Sequence, residues 1–124
     1  MTAIQSVAKL LALDTPVYFT PQNIAEFWNV ATRPAESNGM ALPRDIILAE
    51  LAAIEELLTL FPDSPGIDPE WKRIVADYKV MGVKVFDARL VAVMNVYGVR
   101  SILTYNTADF TRYTGLTIFH PSDV

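Results

Sequence analysis

Two short apolar runs constrain the fold of this chain more than any other feature: Pro16-Val17-Tyr18-Phe19-Thr20 and Ser101-Ile102-Leu103-Thr104. Both favour a pleated, half-buried strand, through their β-branched and aromatic residues. Each is followed at once by a helix-opening signal. Thr20 is placed to cap a helix that has Pro21 at its first position, where the missing N–H leaves no bond unmade. Asn106 stands in the same relation to a short helix near residues 107–112, and a last strand is expected over Leu116–His120. Helical periodicity fills the intervals. A helix end lies in Ala3–Ala12, and a second helix runs from Pro21 to a stop near Pro34. A long helix spans Arg44–Leu60, with Ile46, Ile47, Leu51, Ile54, Leu57 and Leu58 as its stripe. A fourth starts near Pro69, capped by Asp68, and ends near Gly82; a fifth opens at Phe86-Asp87 and ends before Gly98. The turn-rich connector at residues 61–69 has room for a short edge strand. Strands alternating with helices predict an α/β fold, one domain over residues 1–124, with a mainly parallel sheet flanked by helices. Such sheets bind ligands beyond the carboxyl ends of their strands, where Thr20 and Thr104–Asn106 fall.

The bulk numbers exclude several classes. An apolar fraction of 52% supports a packed core. No apolar run is long enough to span a bilayer, and the first residues lack the basic leader and long apolar stretch of a signal peptide. The absence of cysteine removes disulfide scaffolds and thiolate zinc sites. The expectation is a cytoplasmic protein. A net charge of −4 gives no bulk attraction to nucleic acid, so an RNA partner would need locally placed Arg or Lys.

Three polar positions could carry chemistry. Glu26 points away from the Ile24, Phe27, Trp28 and Ala31 stripe of its helix, as a solvated surface carboxylate also would. Asp87 suits a helix N-cap. Asn106 and Asp109 have the spacing of a capping box with Asp in place of Glu. The sharper reading joins them: carboxylates and an amide carbonyl suit Mg²⁺ or Mn²⁺, and such ions drive phosphodiester hydrolysis. Arg33, Arg89 and Arg112 are the nearby cations. Arg89 suits either a phosphate oxygen or an ion pair with a neighbouring carboxylate. The lone His120 reads as structural or exposed, and neither a phosphate-cradling glycine loop nor a nucleophile–histidine set is present.

Three blocks in order, TPQNIAEFWNVATRP, VFDARLVAVMNVYGV and ILTYNTADFTRYTGLTIFHP, closely resemble the PIN-domain family, in particular its VapC-like toxin ribonucleases. The resemblance covers nearly the whole chain. It implies a three-layer α/β domain that cuts RNA with Mg²⁺ or Mn²⁺ held by clustered acids. By position it implies Glu26, Asp87 and Asp109 as catalytic carboxylates, and Glu26, Asp87, Asn106 and Asp109 as metal ligands. Arg89 and Thr104 become substrate contacts. It also implies a cognate antitoxin, a homodimer and no membrane partner. One departure matters: the family opens with a central strand ending in Asp-Thr or Asp-Ser, whereas Asp14-Thr15 precedes the strand at residues 16–20. The expectation is a chain that starts inside the family's first helix, lacks the first strand and its Asp, and is impaired in activity. The alternative is a non-catalytic module that binds an antitoxin-like peptide or a second copy.

Overall fold

The computed structural model describes the backbone of residues 3–124 and the side chains from residue 5 onward. In chain order the elements are α1 (Ala3–Ala12), β1 (Tyr18–Phe19), α2 (Pro21–Thr32), α3 (Arg44–Leu57), β2 (Thr59–Leu60), α4 (Ile67–Asp77), α5 (Lys84–Tyr97), β3 (Ser101–Leu103) and β4 (Thr117–Phe119). Single 3-10 turns lie at Ala35–Ser37, Thr107–Phe110 and Pro121–Asp123. The chain is therefore α/β, as expected. It forms two compact units, residues 16–62 and residues 3–15 together with 63–124, and each holds one two-stranded parallel sheet.

In the smaller unit β1 pairs with β2, Tyr18 opposite Thr59 and Phe19 opposite Leu60. The Thr20 cap forms as its sequence predicts. The Asn23 amide donates to Thr20 Oγ1 at 3.1 Å, and the Thr20 amide donates to Asn23 Oδ1 at 2.8 Å, which satisfies two donors reciprocally. The long helix stops at Leu57, three residues earlier than its pattern predicts, because Thr59 and Leu60 leave it to pair with β1. The edge strand sought at residues 61–69 thus lies just before them. The α3 stripe is also narrower than predicted. Ile47 is fully buried and Leu51, Ile54 and Leu58 are half-buried, but Ile46 and Leu57 are exposed. At 3.6 residues per turn those two lie together, roughly 90–110° from the stripe's centre, on one flank of the packed face.

The larger unit is built on α4 against α5, its most extensive packing. Ile67 and Ile74 of α4, and Ala88, Val91, Ala92 and Val93 of α5, are buried together with Phe110 and Tyr113. The Trp71 indole donates to the Val85 carbonyl at 2.8 Å, tying the two helices near their starts. Helix α4 begins at Ile67, with Gly66 before it, so Asp68 is not its cap. Burial of Ile67 draws the first turn forward, and Asp68 stands inside that turn, where its charge still meets the positive helix end. Helix α5 likewise begins at Lys84, and Asp87 lies in its first turn instead of capping it. Gly98 closes α5 in the left-handed conformation, φ 74°, with the Val99 amide on the Met94 carbonyl at 2.9 Å. Strands β3 and β4 run parallel, Ser101 opposite Thr117 and Leu103 opposite Phe119. Helix α1 is anchored here by buried Ser6, whose hydroxyl donates to the Pro121 carbonyl at 2.7 Å.

Candidate metal centre

The carboxyl ends of β3 and β4 and the first turn of α5 bring several of the chemically promising residues into one unit. Thr104 follows β3, and its amide donates to the Phe119 carbonyl at 2.9 Å, which continues the ladder. Its hydroxyl accepts from the Asn106 amide at 3.1 Å, so the chain turns sharply as it leaves the sheet. Asn106 is exposed at the head of the turn Thr107–Phe110. The expected capping box is not formed. The Asn106 side chain makes no capping bond, and the Asp109 amide bonds to the Asn106 backbone carbonyl at 3.1 Å instead. A tight 3-10 turn closes with main-chain groups and leaves both side chains for other contacts. Phe110, 3% exposed, pins this turn into the core.

Asp109 finds its partner across the unit. Lys84 Nζ donates to Asp109 Oδ1 at 2.5 Å, with Lys84 the first residue of α5. Sequence reading missed Lys84; its signal was the three-residue spacing to Asp87, which places both on one side of a helix turn. Asp87 is half-buried, and its charge reaches the buried Tyr113 phenol. Burial pushes that phenol up; Arg112 opposes the rise and Asp87 adds to it. The first turn of α5 is thus tied to the Asp109 turn through Lys84.

Arg89 takes the ion-pair option that its sequence left open, with Nη2 on Asp63 Oδ1 at 3.3 Å. Arg89, with Trp71, Val85, Phe86 and Asp68, lines a largely apolar cavity of about 230 Å³. His120 accepts the Ser122 amide at its Nδ1, 3.1 Å, and lies edge-on to Tyr105 with ring centroids 5.3 Å apart. Glu26 belongs to the smaller unit. There it is exposed on α2, and its Oε1 accepts from Gln22 Nε2 at 3.1 Å.

A family model of the PIN domain matches residues 3–116. The chain belongs to the PIN-domain family. PIN domains are generally metal-dependent nucleases, so a nucleic acid is the class of substrate that membership implies. No curated protein matches this PIN domain. Among its described residues no helix is long and apolar enough to cross a membrane.

Whether the PIN domain's residues suit a divalent cation follows from their chemistry. In the larger unit no three acidic or histidine side chains converge, among the described residues. Mg²⁺ takes one or two carboxylates and keeps several waters, so Asp87 and Asp109 would suffice for it in number. Asp87, Asp109 and the Asn106 side-chain carbonyl are all hard oxygen donors. The Lys84 ammonium on Asp109 marks the spot as one that already holds positive charge. The donor set fits a hard cation in kind.

Proposed function

We propose that this PIN domain is an endoribonuclease of the VapC-like, toxin–antitoxin type, hydrolysing RNA phosphodiester bonds with Mg²⁺ or Mn²⁺. The observation that carries the reading is the Lys84–Asp109 contact, which joins the Asp109 turn to the first turn of α5, where Asp87 stands. Asp87 and Asp109 are the catalytic carboxylates and, with the Asn106 side-chain carbonyl, the ligands of the ion. Glu26 is a further catalytic and ligand candidate on family position alone. The chemistry such an ion supplies when bound is water activation and neutralisation of charge on the phosphate. Around it, the chain's own residues orient the substrate. The Thr104 hydroxyl at the sheet end, and Arg89 once it leaves Asp63, are suited to phosphate oxygens.

The test is Mn²⁺ calorimetry together with cleavage of a mixed-sequence RNA. Asp87→Asn should lower cleavage at least about 100-fold, ~2.7 kcal/mol of barrier, while leaving the fold intact by circular dichroism. Cleavage unchanged by Asp87→Asn would end the catalytic assignment.

A second reading, a non-catalytic interaction module, is favoured by one observation. Met81, Val83 and Phe86 are 80%, 76% and 59% exposed around the start of α5. Exposed apolar side chains this close together suit a protein partner, either an antitoxin peptide or the second copy of a homodimer. Light scattering of wild type against Phe86→Asp separates the two: a change of mass in the variant supports self-association, and a monomer in both leaves the antitoxin.

A further inference from the structure

The contact that brings Lys84 to Asp109 has a consequence for metal loading. An ammonium 2.5 Å from Oδ1 holds one of the two carboxylate oxygens that Asp109 can offer a divalent ion. Lys84 is tethered to the same helix turn as Asp87, three residues along. The Asp109 turn is fixed in turn by buried Phe110 and by the packing of residues 107–110 against α5. One positive charge therefore stands in a unit where two carboxylates are the proposed ligands. A dication entering beside it meets repulsion from the ammonium as well as the cost of breaking the pair. The lysine side chain is 44% exposed, so it has solvent to move into.

We propose that Lys84 is a built-in competitor for the metal: its ammonium occupies Asp109 as the chain's own cation, and loading requires it to swing out. This rests on the metal-site reading above and deepens it, because the position of a single side chain then sets the affinity. Lys84 is a positioning residue here, acting through Asp109 without touching substrate. The arrangement makes metal concentration the variable that moves Lys84. At low divalent ion the ammonium holds the carboxylate, and at high divalent ion it is released to solvent, where a phosphate backbone is its natural partner.

The experiment is Mn²⁺ calorimetry on four forms of the full chain: wild type, Lys84→Met, Lys84→Arg and the double variant Lys84→Met/Asp109→Asn. Lys84→Met keeps the stem and removes the charge; Lys84→Gln serves the same purpose should the Met form fail to fold. The expected result is about a tenfold gain in Mn²⁺ affinity for Lys84→Met. Lys84→Arg should remain at the wild-type value, and the double variant should lose the gain. Wild type and Lys84→Met binding Mn²⁺ equally well would overturn the competitor role and leave the metal site standing. Binding by neither would overturn both. A gain that survives Asp109→Asn would also overturn the proposal, since the lysine would then act elsewhere.

Discussion

The two ends of the β3–β4 pair are both polar, yet they hold their charges in opposite ways. Where the strands begin, Glu70 of α4 accepts from Arg73 Nε at 2.6 Å, from Arg73 Nη2 at 2.9 Å and from Asn95 Nδ2 at 2.9 Å. Asn95 Oδ1 accepts from Arg100 Nη1 at 2.7 Å, and Arg100 Nε donates to the Gly115 carbonyl at 3.3 Å. The relay links α4, α5 and the residues just ahead of β3 and β4. Tyr78 and Thr114, 3.1 Å apart, add a second tie between α4 and the start of β4. Where the strands end, Asp109 is held by the one ammonium of Lys84. A carboxylate that accepts two hydrogen bonds from its own helix and a third from the neighbouring one is a fastener, since removing it strands several polar groups at once. A carboxylate paired to a half-exposed lysine is exchangeable, since the pair contributes little and another cation can replace its partner.

The largest effect predicted by this contrast falls on the fastener. Glu70→Ala should destabilise the chain by about 1–3 kcal/mol in denaturant unfolding, because Arg73 and Asn95 lose a shared acceptor. Metal affinity and RNA cleavage should not change, because Glu70 stands at the opposite end of the strands. A loss below ~0.5 kcal/mol would break the comparison from this side.

The next effect is a pH dependence of the same residue. The Arg73 hydrogen bonds hold the Glu70 carboxyl below its ordinary value against the opposing effect of burial, with Asn95 adding to the lowering. A depressed folded-state value means the unfolded chain binds the proton first, so Glu70 stabilises the fold above its unfolded value, about 4.3. That contribution is lost as the pH falls through the lowered folded value. Unfolding of wild type and Glu70→Gln should therefore differ at pH 7 and converge in acid. Curves that stay parallel down to the acid transition would remove Glu70 from the fastening role.

The same contrast explains what could be read along the chain. The Thr20 cap was legible because both partners lie within three residues and the bonding rule is local. The Glu70–Arg73 and Arg73–Asp77 pairs have the spacing of ordinary helix-face pairs. Their extension to Asn95 and Arg100 was not legible, because it needs the helix packing and the strand starts in place. Strand β2 was placed too late because a two-residue strand carries almost no pattern; its partner β1 defines it. Asp87, Asn106 and Asp109 stood out by residue type and by nearness to a strand end, and the PIN-domain match covers all three. Their local roles were misread. Asp87 was expected as a cap but lies inside its turn, and the Asn106–Asp109 box gave way to main-chain bonds. Lys84 became visible only when the fold closed a separation of 25 residues.

The smallest stability effect belongs to Asp109, and it bears most directly on function. Asp109→Ala removes an ion pair whose members are 44% and 29% exposed, so screening and side-chain entropy limit its worth to about 1 kcal/mol or less. Its backbone amide still closes the turn on the Asn106 carbonyl, and Phe110 still anchors it, so the local fold should persist. Raising the salt concentration should shrink the difference from wild type further, as expected for an exposed pair. Mn²⁺ binding, by contrast, should fall below detection, because the variant leaves Asp87 as the unit's remaining proposed carboxylate ligand. Small loss of stability with large loss of metal is the signature of an exchangeable acid. Were Asp109→Ala to cost as much stability as Glu70→Ala while Mn²⁺ binding was unchanged, both ends of the sheet would be fasteners, and the metal site would have to be sought elsewhere in the chain.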